Sequence, residues 1–146
     1  MWAALTGDPS SWRGVERNVA WRHFTGLPSR VVHTPPAQDR FETALVSDLR
    51  SSAGRYPHDR SLTLLISRIR SASTRFDELW TSHIVGVHLS DVKTIHHPDL
   101  GPITVDCDTL TVPGSDLRIA VCSAAPSTTG FEQLELLATL GNQSMV

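Results

Sequence analysis

Cysteine is scarce in this sequence, which has only Cys107 and Cys122 among its 146 residues. Two thiols are too few for a disulfide framework, and their spacing is not that of a Cys-x-x-Cys pair. A small secreted scaffold held by disulfides is therefore excluded, and the two cysteines are expected to stay reduced in a cytoplasmic protein. Lysine is scarcer still, because Lys93 is the single lysine and the other basic residues are all arginines.

Long apolar runs, internal repeats and low-complexity segments are also missing. No apolar stretch approaches the roughly 20 residues that a membrane-spanning helix needs. The start, Met1-Trp2-Ala3-Ala4-Leu5, lacks the basic segment and long apolar stretch of a signal peptide. With 40% hydrophobic and 19% charged residues, the chain is predicted to form one folded cytoplasmic domain without membrane association, preceded by a Gly-, Ser- and Pro-rich lead-in at residues 1–14.

The charge is small in total and uneven along the chain. The net charge is −2, so no general attraction to nucleic acid is expected. Residues 1–75 carry 11 of the 13 basic side chains, whereas residues 76–146 carry 9 of the 15 acidic ones. This distribution either arises by chance or places the first half beside an acidic partner or DNA.

Four helices are predicted in the first half of the sequence. Apolar positions spaced three and four apart predict a helix over residues 15–24, which Gly26-Leu27-Pro28 ends. Thr34-Pro35 begins a second helix that runs to Gly54, and Asp59 begins a third. The spacing Thr74-x-x-Asp77 resembles a capping box that opens a fourth.

After His83 the apolar period changes from that of a helix to that of a strand. Alternation predicts strands over residues 85–89, 92–97, 103–112 and 117–124, followed by a closing helix over residues 127–140. The predicted fold class is therefore α+β, with N-terminal helices packed on an antiparallel sheet of about four or five strands and a C-terminal helix.

The residues of the last predicted hairpin can be paired across the two strands in two ways. Placing Val112 opposite Leu117 puts Cys107 opposite Cys122, but it also puts Asp108 among the apolar residues of one face. A bulge near Asp108-Thr109 would bring the apolar residues onto a common face. We therefore predict the bulge, which would make the cysteines near neighbours and not a matched pair.

Catalytic and metal-binding patterns are weak. His83, His88, His96 and His97 are close in sequence, but adjacent strand residues such as His96 and His97 point to opposite faces. Asp106-x-Asp108 places two carboxylates on one side of a strand, where they could bind a cation or act as an acid/base pair. The solvated face of an antiparallel strand is the commoner explanation of such a pair, and the alternation of residues 105–108 fits it. Nucleophile and phosphate-loop motifs are absent. No enzyme activity, metal or cofactor is expected.

DNA recognition by this sequence itself is not expected either. A helix-turn-helix needs two short helices joined by a tight turn. Pro28, Pro35 and Pro36 separate the first two predicted helices too widely for that motif.

A series of landmarks in a fixed order carries a family resemblance. They are Arg17-Asn18 with Trp21-Arg22 and Phe24, Asp48-Leu49-Arg50 with Ala53-Gly54-Arg55-Tyr56-Pro57 and Asp59, Phe76-x-x-Leu79-Trp80 with His83, Lys93 and His97-Pro98-x-x-Gly101, and Ala124-Ala125-Pro126-Ser127. In order and spacing they resemble the MmyB-like ligand-binding domain that follows an XRE-type helix-turn-helix in bacterial transcription regulators. The domain would span residues 15–141, with a tail at 142–146.

The resemblance implies a PAS-like fold in which helices and an antiparallel sheet enclose an apolar pocket. It implies a small apolar or fatty-acid-like ligand, a role in transcriptional control and, often, a homodimer. DNA would be contacted only through a helix-turn-helix domain that this sequence does not contain.

We expect the cavity between the helical layer and the sheet to hold the ligand. Its predicted apolar lining comprises Phe24, Phe76, Leu79, Trp80, Val87 and Leu110, and His83 and Thr111 are the predicted polar contacts. For each lining residue, ordinary core packing is the competing explanation. The alternative function is a ligand-free protein-interaction or dimerisation module of a regulator, with a filled core.

Overall fold

The chain, analysed as a computed structural model, divides into two compact units, each with its own hydrophobic core. The structure describes residues 5–7, 12–87 and 90–143, with the backbone alone at 140–143. Residues 12–28 and 35–87 form the unit that we call the helical unit. Residues 5–7, 29–34 and 90–143 form the sheet unit.

Four α-helices and a short 3-10 helix build the helical unit. The 3-10 helix is Gly14–Arg17, and the α-helices are α1 (Val19–Phe24), α2 (Pro35–Arg55), α3 (Arg60–Ala72) and α4 (Thr74–Ser82). They enclose a core of buried apolar side chains: Ala20, Phe24, Leu45, Val46, Ile66, Ile69, Phe76 and Leu79.

Capping side chains set where these helices begin. The prediction of one continuous helix over residues 15–24 was wrong, because the side chain of Asn18 accepts a hydrogen bond from the Trp21 amide at 3.1 Å and starts α1 there. Asp59 caps α3 as predicted. The cap of α4 is Ser73 and not Thr74, since the Ser73 hydroxyl accepts from the Phe76 amide at 3.2 Å.

The sheet unit is an antiparallel meander with a helix after it. Its strands are β1 (Val31–Val32), β2 (Asp91–His97), β3 (Gly101–Thr111) and β4 (Arg118–Ser123), paired in the order β1-β2-β3-β4. The helix α5 (Thr129–Gln143) follows. The predicted α+β class, with four strands and a closing helix, is confirmed.

The first strand comes from a different segment than predicted. Val31 and Val32 pair with β2, which the sequence analysis missed, whereas residues 85–87 form no strand. The rest of that predicted strand, His88 and Leu89, lies outside the described residues. The backbone near Gly86 is instead hydrogen-bonded by side chains of α2.

Alternate residues of β3 point into the core of the sheet unit. Ile103, Val105 and Cys107 are buried on one face together with Ile95 of β2 and Leu137 of α5. Leu5, within the predicted lead-in, is also buried in this core. The helix α5 lies so close to β3 that a Cβ on Gly130 would be 2.4 Å from the carbonyl oxygen of Thr104. Glycine is therefore required at that contact.

The β3–β4 hairpin is regular, so the predicted bulge near Asp108-Thr109 was wrong. Cys107 pairs directly with Cys122, and Asp108 pairs with Val121. The apolar residues that the bulge would have turned inward, among them Leu110 and Ile119, are exposed on the same face as Asp108. The cysteines are consequently a matched cross-strand pair.

None of the helices within the described ranges is long and apolar enough to cross a membrane.

Candidate functional site

Four of the predicted ligand-contact residues come together in the helical unit. The rings of Phe24 and Phe76 meet edge to face with centroids 4.9 Å apart, and the Trp80 ring stacks on Phe76 at 5.8 Å. Phe24, Phe76 and Leu79 are buried in the core, whereas Trp80 is half-buried. The cluster is thus a packed aromatic core whose margin is formed by Trp80.

The other four predicted contacts are not members of this cluster. His83 ends α4 in the left-handed conformation with φ of 56°, and its Nδ1–H donates to the Thr81 carbonyl at 2.6 Å. Val87 is 66% exposed. Leu110 and Thr111 belong to the sheet unit, where as neighbours on β3 they point to opposite faces of the strand.

Residues 84–87 present exposed apolar side chains on a backbone that is hydrogen-bonded to α2. Ile84, Val85 and Val87 are exposed, yet the Gly86 amide donates to the Ser47 hydroxyl at 2.7 Å. A Cβ on Gly86 would lie 3.0 Å from the Ala44 backbone nitrogen, so the segment runs against the α2 backbone. We call residues 84–87 the clamped segment.

Arg50 of α2 holds this segment and the end of α4 together. Its guanidinium donates to the carbonyls of Leu79 at 3.0 Å, Trp80 at 2.9 Å and Ile84 at 3.1 Å. The guanidinium carbon also lies 5.4 Å from the centre of the Trp80 ring, within the range of a cation–π contact. Arg50 therefore satisfies carbonyls that α4 leaves without helical partners at its end.

Replacing Arg50 by alanine is expected to lower the free energy of unfolding by about 2 kcal/mol, because hydrogen bonds to a charged donor are lost from three carbonyls. Urea denaturation of the full chain measures the change. Arg70→Ala is the matched control, since Arg70 pairs with Asp77 at a solvent-exposed site where an ion pair contributes about 0–1 kcal/mol. Equal losses in the two variants would contradict the clamping role.

A buried carboxylate that the sequence analysis missed lies deeper in the helical unit. Glu42 of α2 is 5% exposed and accepts hydrogen bonds from His23 Nε2 at 2.9 Å, Gln38 Nε2 at 2.9 Å and Arg75 Nε at 2.8 Å. Arg75 also pairs with Asp39. Glu42 falls on the same helical stripe as Leu45 and Leu49, and a charged residue on an apolar stripe is the pattern that could have revealed it.

The partners of Glu42 decide its ionisation. Burial by itself would raise the pKa of Glu42, but the hydrogen bonds from Arg75, His23 and Gln38 outweigh it and lower the pKa from its ordinary value near 4.5. The same contact raises the pKa of Arg75. The carboxylate is thus ionised at neutral pH and ties α1, α2 and α4 together.

A groove of about 330 Å³ lies in the sheet unit. It follows β3 beyond the end of β4 and is bounded by Thr104, Asp106, Ala124 and the first turn of α5. Thr128 in its wall accepts a hydrogen bond from the Phe131 amide and caps α5. The volume is at the lower end of the roughly 300–1,000 Å³ of small-molecule sites.

Two residues of the predicted histidine and aspartate groups, His97 and Asp108, make local hydrogen bonds. Where the chain is described, no three His, Cys, Asp or Glu residues come together in a way that could hold a metal ion. His97 Nδ1 accepts from the amides of Asp99 and Leu100 and so stabilises the β2–β3 turn. Asp108 accepts a hydrogen bond from the Ser90 hydroxyl. His88, which the metal hypothesis included, lies outside the described residues.

Comparison with known protein families gives a match over most of the chain. Residues 1–137 match the model of the MmyB-like transcription regulator ligand binding domain. Neither the curated proteins nor the solved structures include a match. The match covers most of the chain and indicates a ligand-binding domain of transcription regulators. The chain belongs to the MmyB-like transcription regulator ligand-binding domain family.

Proposed function

We propose that the ligand of this regulator domain is a small apolar or fatty-acid-like molecule, sensed in the cytoplasm without catalysis. Ligand binding would alter transcription through a separate helix-turn-helix domain that contacts DNA. Such a ligand regulates only if it binds one arrangement of the protein more tightly than another.

The observation that carries the proposal is the exposed apolar surface of the clamped segment. Ile84, Val85 and Val87 expose their side chains, although Arg50 and Ser47 fix the backbone beneath them. An ordered backbone presents this surface with little loss of conformational freedom on binding. Covering it would contribute about 25 cal/mol per Å² of apolar area.

The aromatic cluster would support the ligand-contacting surface, because it packs against Trp80. Phe24, Phe76 and Leu79 pack against one another as core, and Phe76 stacks on Trp80. In this proposal the ligand contacts Trp80 and Val87 directly, and the imidazole of His83 binds a polar end of the molecule. Leu110 and Thr111 remain proposed contacts.

The experiment measures binding of dodecanoate to the full chain by isothermal titration calorimetry. Val87→Asp is expected to weaken binding at least ~10-fold, because a carboxylate would have to be desolvated against the alkyl chain. Leu64→Asp is the matched control, since Leu64 is 59% exposed and belongs to α3, not to the clamped segment. Unchanged binding to Val87→Asp, or no binding to the parent chain, would contradict the proposed ligand class or its site.

A ligand-free interaction module is the second candidate, and one surface favours it. Four apolar side chains share the exposed face of the β3–β4 hairpin: Leu110, Leu117, Ile119 and Val121. Contiguous apolar surface of this kind is typical of protein interaction sites. Native mass spectrometry of gently purified protein distinguishes the two functions. A co-purified lipid supports the sensor, whereas a clean dimer supports the module.

A further inference from the structure

The cysteine pair is placed for direct bonding between two strands. Cys107 of β3 is opposite Cys122 of β4, with their Sγ atoms 2.8 Å apart. The hairpin begins with a hydrogen bond from the Val112 amide to the Leu117 carbonyl. Counting back from it, the cysteines occupy a non-hydrogen-bonded pair, the position where opposed side chains come closest.

The two thiols differ in access and in ionisation. Cys107 is 8% exposed, whereas Cys122 is half-buried and reached from solvent. The hydrogen bond from Cys107, helped by the charge of Lys93, lowers the pKa of Cys122 to about 7. The same hydrogen bond, with burial, raises the pKa of Cys107. Cys122 is the reactive thiol, and Cys107 lies beside it in the position of a resolving thiol.

We propose that Cys107 and Cys122 are an oxidative modification site that a hydroperoxide converts into an intrachain disulfide. In the first step the Cys122 thiolate attacks the terminal oxygen of the hydroperoxide. The O–O bond breaks, the Cys122 sulfur becomes a sulfenic acid, and the departing alkoxide takes up a proton to leave as an alcohol.

In the second step the Cys107 sulfur attacks the Cys122 sulfur. The S–S bond forms as the S–O bond breaks, and the hydroxide leaves as water with the thiol proton of Cys107. The two thiols lose two electrons, which reduce one hydroperoxide to an alcohol and one water. A dithiol reductant reverses the reaction by thiol–disulfide exchange.

The disulfide would fix a wall of the groove in the sheet unit. Cys107 is next to Asp106 on β3, and Cys122 is close to Ala124, both of which line the groove. The bond would also close the loop of residues 108–121 and restrict the unfolded chain.

The test treats the reduced full chain with stoichiometric hydrogen peroxide. We expect titratable thiols to fall from two to none, the intact mass to drop by two hydrogens, and the protein to stay unlinked to other copies on a non-reducing gel. The midpoint of thermal unfolding is expected to rise by about 5–10 °C and to return after dithiothreitol. Two thiols that remain titratable, or disulfides only between chains, would overturn the proposal.

Single variants separate a paired site from two independent thiols. In Cys107→Ala, Cys122 is expected to stop at the sulfenic acid, which dimedone captures. In Cys122→Ala, the buried Cys107 is expected to react at least ~10-fold more slowly. Circular dichroism establishes that both variants fold. Equal reaction rates of the two variants, or a sulfenic acid that persists in the parent chain, would contradict the assigned roles.

Discussion

Phe76→Ala is expected to lower the free energy of unfolding by about 3–5 kcal/mol, the range found when a buried phenylalanine is truncated. Phe76 is 0% exposed, and its ring contacts both Phe24 and Trp80. The substitution removes the ring on which the core of the helical unit packs and leaves a cavity that rigid helices cannot fill. Urea denaturation of the full chain measures the loss.

Hydrogen exchange shows which unit Phe76→Ala destabilises. Amides of the helical unit are expected to lose protection in Phe76→Ala, because that unit has a core of its own. Leu64→Ala is the control, since a substitution at an exposed surface position changes stability by about 0.5 kcal/mol or less. A loss below about 1 kcal/mol for Phe76→Ala would show that its ring is not essential to this core.

Glu42→Gln is expected to lower the free energy of unfolding at pH 7 by about 2 kcal/mol. The amide keeps the shape of the side chain but removes the charge that His23 and Arg75 contact, leaving donors in a buried site without a charged acceptor. Arg75 is about half-exposed, and solvent at its guanidinium keeps the loss below that of a fully buried ion pair.

The same variant tests the pH dependence. The pKa of Glu42 is lower in the folded protein than its ordinary value near 4.5. Its stabilising contribution is therefore complete above that value and is lost as the pH falls through the folded pKa. The difference in unfolding free energy between the parent chain and Glu42→Gln should shrink steadily below pH 4.5. Glu135→Gln, an exposed position on α5, is the control at each pH. A constant difference down to pH 2 would contradict the assigned role of Glu42.

Local patterns predicted the helices well because their determinants are close in sequence. Asp59 and Pro35 mark helix starts within a few residues of the backbone groups that they affect. The errors at Asn18 and Ser73 were also local, since a neighbouring side chain with the right backbone conformation took the capping role. Competing caps differ by little free energy, so the sequence alone does not choose between them.

Long-range contacts explain the larger errors. The alternation of Val85 and Val87 predicts a strand, but Ser47 and Arg50, far away in sequence, provide hydrogen bonds to that backbone. The predicted bulge rested on the assumption that Ile119 and Leu110 must be buried, whereas both are exposed on a regular hairpin.

The candidate site was predicted only in part. The helical spacing of Phe76, Leu79 and Trp80 indicated a shared face, and the structure brings them together. The contacts of Arg50, and those of Glu42 with His23 and Arg75, depend on tertiary packing, so no local pattern indicated them.

The three carbonyl oxygens that accept hydrogen bonds from Arg50 have no titratable proton. Acid therefore loosens the Glu42 attachment while the C-terminal end of α4 stays docked on α2. As the pH falls, we expect the helical unit to unfold locally first where His23 and Arg75 contact α2. The part around Trp80 is expected to unfold last.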